Sequence, residues 1–452
     1  MGKRYLKNII LVMLITLSMW QTSKLWLGNM PGLSFFGKPL ENNFKQIEPE
    51  SIWLVPGAPG TLVYRLGEEN REYQVVREEI EDSIKSHIKS GKIKEDKELG
   101  WKEIFEKKGI LYQYPMPLTY GEIMGEDSTF TPKDKSSIKD IDYIFIPLAD
   151  NYRGITKWEL ISTSQGKMIT VEIQEAFESI RAFSDLLNDG VLNNKVKYQP
   201  TFSMLGFDNK NIFLPISSTD MPIAYDVLEW YNPLENKDDI NKFNPYINHY
   251  FLNPLLKKEE VTSSGVHIFS ELMEAVVKYY PSGVFEYSNI SARKNSGKIS
   301  RVEAYNISQN FLNKNESLSK EIKNTLFLSN VEEIKTGYIF NYDMRIGGVR
   351  VYLSEDERER LGMDHMVQIK VEGNEVSKFR WNANELRAKN RTGYFKIKYT
   401  EAINKVLEYV ARKNELNTLV IDDMKWVYMV NGPGEDVDIR WIILHDDNWY
   451  SP

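Results

Sequence analysis

Apolar residues are spaced in several distinct ways along the chain, and each spacing predicts an element. An unbroken apolar run covers Ile9 to Leu17. Beyond a Gly-, Pro- and Asn-containing stretch, residues 51–66 (SIWLVPGAPGTLVYRL) read as strand, Pro/Gly turn and strand. Tyr73, Val76, Ile80, Ile84 and His87 fall at helical spacing within Glu72–Ser90, and a second amphipathic helix is predicted over Trp101–Lys107. Strands follow at 109–118, 140–149, 157–163 and 167–173, then a helix over Gln174–Asn188. Strands are predicted at 197–205, 211–218 and 222–231, helices over Asn241–Leu256 and Phe269–Tyr280, and a strand over 283–289.

The last part of the chain carries a faint repeat. KISRVEAYNISQNFLNKN from Lys298 and KIKYTEAINKVLEYVARKN from Lys396 both place a strand end before an amphipathic helix, with Glu303-Ala304 aligned to Glu401-Ala402. Ser300 and Glu303 fit a capping box. Glycine-turned strand pairs follow each helix, at 336–353 and 424–444, with a capped helix at Ser354–Leu361 and strands at 366–373 and 375–383 between them. Runs of strands with interspersed helices predict an α+β fold with antiparallel sheets and tandem helix-plus-strand modules at the C-terminus. The expected division is a cytoplasmic N-terminus (1–8), a transmembrane helix (9–27), a juxtamembrane linker (28–47), an N-terminal extracytoplasmic domain (48–190), a middle domain (191–297) and the C-terminal modules (298–452).

Lys3, Arg4 and Lys7 precede the first apolar run, so the positive-inside rule keeps the N-terminus cytoplasmic and the bulk outside. Extended to Leu27, the helix spans about 28 Å, close to the ~30 Å hydrocarbon core. The residues after the core, WQTSKLWLGNMPG, offer no small pair at a cleavage register, which favours an uncleaved anchor over a signal peptide. Leu11, Ile15, Ser18, Thr22 and Trp26 share one helical face. Two readings of that face stand: Ser18 and Thr22 bond their own helix carbonyls, or they let a second helix approach.

Composition narrows the chemistry. Net charge is −7 with no basic block beyond the N-terminus, which argues against nucleic acid as a partner. The absence of cysteine removes disulfides, thiolate metal sites and cysteine nucleophiles. The five histidines are scattered without HExxH spacing, and no G-x-S-x-G or S-x-x-K motif is present, so no catalytic residue, cofactor or metal site is expected. The densest acidic group, Asp422, Asp423, Glu435, Asp436 and Asp438, would hold Ca²⁺ only if its strands bring the carboxylates together; turn chemistry explains it as well. Glu and Arg in SEDERERLG read as exposed pairs on a solvated helix.

The anchor segment LKNIILVMLITLSMWQTSKLW, with Ser18, Thr22 and Trp26 at their spacing, resembles that of the YycH family of membrane-bound accessory proteins. A second segment, INHYFLNPLLKKEEVTSSGVHIFSELMEAVVKYYPSGVFEYSN, is similar to a family stretch with a Phe-x-x-Pro element, here Phe251 to Pro254, and a Glu-Tyr-x-Asn strand, here Glu286 to Asn289. IFSEL stands in place of a Tyr-Thr-Asp-type stretch, and a Gly-Gly-Trp element is absent. The C-terminal units also loosely resemble PepSY-type modules. Resemblance to the YycH family implies a single-pass, non-enzymatic regulator of a WalK/YycG-like sensor histidine kinase in cell-wall homeostasis. It further implies contact between the anchor face and the kinase helices, and binding of a YycI-like companion outside the membrane. The rival expectations are a sensor of wall fragments or peptides and, less favoured, a metal-dependent wall enzyme.

Overall fold

The computed structural model describes residues 47–57, 62–67, seven helical positions between 73 and 84, 92–124, 138–148, 156–173, 196–201, 212–216, 222–234, 243–271, 275–290, 292, 299–396, 398–414, 420–445 and 448–451. The segment carrying Lys3, Arg4, Lys7, Leu11, Ile15, Ser18, Thr22 and Trp26, and the helix expected over Gln174–Asn188, lie outside these residues. Among the described residues no helix is long and apolar enough to cross a membrane.

Strands β1 (Ser51–Val55), β2 (Val63–Leu66), β3 (Lys92–Glu98), β4 (Gly109–Leu118), β5 (Ile141–Pro147), β6 (Thr156–Ser162), β7 (Lys167–Ile173), β8 (Lys197–Pro200) and β9 (Phe213–Ile216) form a nine-stranded sheet in the order β3-β7-β6-β5-β4-β1-β2-β8-β9. Its described pairs are antiparallel, as β1 is to both β2 and β4. Every residue of β1 is buried, which its Ile-Trp-Leu-Val composition allows because both faces are covered.

The remaining strands are β10 (Ile223–Tyr231), β11 (Lys258–Val261), β12 (His267–Glu271), β13 (Ala275–Tyr280), β14 (Val284–Asn289), β15 (Leu326–Ile334), β16 (Gly337–Ile346), β17 (Val349–Leu353), β18 (Val367–Glu372), β19 (Glu375–Asn382), β20 (Glu385–Phe395), β21 (Asp423–Val430), β22 (Asp436–His445) and β23 (Asn448–Tyr450). They build a second sheet, β11-β12-β13-β14-β19-β18-β16-β17-β21-β22-β10-β20, with β15 on β16 and β23 on β22. The helix Arg301–Lys314 packs on β16, β18 and β19, and the helix Tyr399–Asn414 on β22. The aligned alanines of the repeat, Ala304 and Ala402, are both buried, and the Ser300–Glu303 capping box forms.

Three expectations change. Phe269–Tyr280 is not a helix but the hairpin β12–β13: Phe269 and Glu271, then Val277 and Tyr279, are buried at every second position. Asn241–Leu256 yields only a four-residue α-helix, Asn244–Ile247, and 3₁₀ turns at Asn248–Tyr250 and Pro254–Leu256. Pro254 cannot donate to a continuing helix, and Phe251 is extended at ψ 139. The sheet is also not wholly antiparallel, because β17 runs parallel to β21. The 191–297 span contributes to both sheets: β8 and β9 extend the first, while β10 pairs with β20 and β22 in the second. A continuous core joins Ile52, Tyr112 and Leu160 from the first sheet with Phe285, Tyr305 and Phe379 around the second.

Candidate functional site

Sequence-distant segments meet at two places. First, the two described elements behind the family resemblance touch: Tyr250, beside Phe251, stacks on Tyr287 at 4.6 Å between ring centroids. Phe251 is buried, and Glu286 lies on β14 paired with Lys378 at 2.9 Å. These are packing roles. Second, a cleft of about 490 Å³ opens between the sheets, within the range of small-molecule pockets. Glu50, Trp53, Arg65, Tyr143, Tyr198 and Phe213 line it from the first sheet; Arg345, Arg350, Asp422, Asp423, Lys425 and Trp426 line it from the second.

The aromatic wall is rigid. Trp53 stacks on Phe213 at 4.0 Å, meets Tyr198 edge-on at 5.0 Å and donates its indole N–H to Gln113 Oε1 at 2.8 Å. The charged wall bridges the sheets. Arg65 of β2 donates to the Gly348 carbonyl, and Arg345 of β16 lies 3.6 Å from Glu50, its guanidinium over the Phe327 ring. Burial alone would raise the Glu50 carboxyl, yet Lys425, Arg345, Arg350 and Arg65 outweigh it and hold that group below its usual range. Asp343 is likewise opposed by burial but held well below the carboxylate range by Arg350 and by His365, whose Nδ1 lies 3.2 Å away. Asp142 differs: burial pushes it up to about 6 even though the Thr163 N–H and hydroxyl donate to it.

The acidic group of the C-terminal hairpin does not converge. In the β21–β22 register Asp423 faces Leu444, whereas Asp438 faces Met429 at the other end, so antiparallel pairing itself separates the carboxylates. Asp436 binds Lys389 and Arg391, Asp438 accepts from the Tyr225 hydroxyl, and Asp423 pairs with Lys425 at 2.6 Å. Among the described residues no group of three or more His, Asp or Glu is placed to hold a metal ion. The helix Glu355–Leu361 is capped at both ends, by Ser354 and by left-handed Gly362. One of its acids is nevertheless internal: Glu357 is buried, accepts from Trp230 Nε1 at 2.8 Å and pairs with Arg360.

Apart from Asp422 and Asp423, the cleft residues escape sequence reasoning, because Glu50 and Arg345 belong to no shared motif and meet only through the packing of two sheets. A second missed feature is the leucine group Leu252, Leu255 and Leu256, exposed at the surface. These leucines fall inside the helix expected over Asn241–Leu256, where an adjacent Leu-Leu pair after a proline is the signal against it.

Among solved structures the fold is similar to that of YycH from Bacillus subtilis, with a TM-score of 0.57 at 12% identity, covering 90% of this chain and 95% of that one. A second similarity, to an uncharacterized protein from Eubacterium rectale, has a TM-score of 0.36 at 10% identity and covers 56% of this chain and 88% of that one. No family model and no curated protein matches the sequence. The fold neighbour thus bears the name of the family that the 6–26 segment and the 247–289 stretch resemble.

Proposed function

We propose that this chain is a membrane-anchored, non-catalytic regulator of a WalK/YycG-like sensor histidine kinase in cell-wall homeostasis, working with a YycI-like companion. The observation that carries this reading is the likeness in fold to YycH over nine-tenths of the chain. The face Leu11, Ile15, Ser18, Thr22 and Trp26 supplies the helix contact, and the two sheets supply the extracytoplasmic surface. Such a regulator shifts the kinase by binding one of its states more tightly; a bias from 1:10 to 10:1 takes about 2.7 kcal/mol of differential affinity. Replacing both Ser18 and Thr22 with leucine is expected to reduce co-purification of the kinase from membranes at least tenfold, with the chain still inserted. Undiminished co-purification would remove the anchor face from the account.

The inter-sheet cleft favours a second reading, a sensor that takes a wall fragment or peptide between the aromatic and charged walls. Titration of the full chain with muropeptides by calorimetry separates the two: saturable binding lost in Arg345→Ala supports the sensor, and no heat supports regulation by protein contact alone.

A further inference from the structure

The cleft between the sheets is balanced in charge as a whole but not place by place. Four basic and four acidic side chains line it. Most are matched: Arg345 lies 3.6 Å from Glu50, Lys425 lies 2.6 Å from Asp423, Arg350 pairs with Asp343, and Asp422 is engaged as well. Two are not. Arg65 gives one N–H to the Gly348 carbonyl, a neutral acceptor, and its buried Nε has no partner among the described residues; Glu50 senses its charge without pairing with it. Asp142 is buried and accepts from the Thr163 N–H at 3.0 Å and from the Thr163 hydroxyl, both neutral donors, and among the described residues no cation pairs with it. A guanidinium has five N–H donors to fill, and a buried carboxylate without a cation is costly, so each place is short of an opposite charge. Their spacing sets a length. Arg65 lies on β2 and Asp142 on β5 with β1 and β4 between, and three strand spacings of about 4.8 Å put them about 14 Å apart. Aromatic rings lie along the way: Trp53 stands opposite Arg65 in the β1–β2 register, and Tyr143 follows Asp142.

We propose that the cleft recognises a short zwitterionic peptide, its free carboxylate on Arg65 and its ammonium on Asp142, an inference that rests on the sensor reading of this cleft. An extended peptide at about 3.4 Å per residue covers the gap with about four residues. A cleft of about 490 Å³ holds a ligand of that class rather than a folded partner. The planar carboxylate matches the fork of a guanidinium, and apolar side chains between the two charged ends meet the rings. Other wall chemistries fit less well. A phosphate polymer would set further anions beside Glu50, Asp422 and Asp423, and a neutral glycan would leave Arg65 and Asp142 as unmatched as they are. The carboxylate end also touches the seam. Arg65 reaches from the first sheet to Gly348 of the second, two residues before Arg350, whose buried Nε likewise has no partner among the described residues. A peptide bound there braces one sheet against the other.

The test uses the full chain in detergent micelles and three pools of mixed-sequence tetrapeptides: free at both ends, N-acetylated, and C-terminally amidated. Peptide retained by the protein is read by mass spectrometry, with muropeptides as a separate arm. Retention of the free pool at least tenfold above either capped pool supports the proposal. Arg65→Gln should then abolish the penalty for amidation alone, and Asp142→Asn the penalty for acetylation alone, a matching of end to residue that general loss of structure does not produce. Equal retention of free and capped pools by the native chain overturns the proposal and leaves the sensor reading standing. So does retention of muropeptides while all three pools pass through. A preference for free ends that survives in both variants overturns the assignment to Arg65 and Asp142. Retention of neither peptides nor muropeptides removes the sensor reading and this inference together.

Discussion

Asp142 is a carboxyl that folding makes harder to ionise, with burial raising it from 3.8 to about 6. A group whose folded pKa is raised binds more protons in the native state, so its stabilising contribution is complete below pH 4 and is lost as pH rises through 6. At about 1.36 kcal/mol per unit, Asp142→Asn is expected to gain up to about 3 kcal/mol at pH 7 and almost nothing at pH 4. Urea unfolding at the two pH values checks this; equal effects at both would contradict it. Glu50 and Asp343, held low by their arginines, act in the opposite sense and lose their contribution as pH falls through the acid range. Glu271 offers a second test at this scale. Glu271→Ala leaves the Leu252 and Asn253 amides without their acceptor, so their hydrogen exchange should accelerate at least tenfold while the amides of β14 keep their protection. None of these carboxylates announces itself in the sequence. An Asp in DIDYIFIP reads as an ordinary strand residue, and only the depth of β5 in the sheet shows that its charge is costly.

At the scale of elements, the seam between the sheets is held by side chains as well as by core packing. Arg301, the first residue of its helix, forms a two-bonded pair with the buried Glu122 of the first sheet's flank. Removing one partner of such a pair leaves a buried charge, and Arg301→Ala is expected to cost about 3 kcal/mol by thermal or urea unfolding. Ser300→Ala removes the cap at the same helix end and should cost only about 1 kcal/mol. That cap was legible, because a Ser-x-x-Glu spacing carries its own mechanism. The alanines aligned in the faint repeat, Ala304 and Ala402, are both buried. The hairpin β12–β13 was not legible: IFSELMEAVVKYY satisfies helical and alternating templates alike, and what decides is pairing with β11 and β14, which local pattern does not encode. The parallel pairing of β17 with β21 is hidden for the same reason, since it joins strands separated by the whole β18–β20 unit.

For the whole molecule, one core cluster runs through residues of both sheets, so the described body should unfold as a single cooperative transition. Tryptophan fluorescence reports both sheets through Trp53, Trp158, Trp230 and Trp381, and it should coincide with far-ultraviolet circular dichroism; two separated transitions would show independent domains. The α+β class and the family resemblance were readable from pattern and two segments, and the fold neighbour bears that family's name. Strands either side of residue 217 join different sheets, so the span expected as a middle domain, 191–297, supplies strands to both. The central claim, regulation through membrane contact with a sensor kinase, is tested most directly by placing a photocrosslinking amino acid at Ser18 or Thr22 of the full chain in native membranes and identifying the attached protein. The account predicts a sensor histidine kinase among the adducts from both positions; adducts that contain no histidine kinase would contradict it.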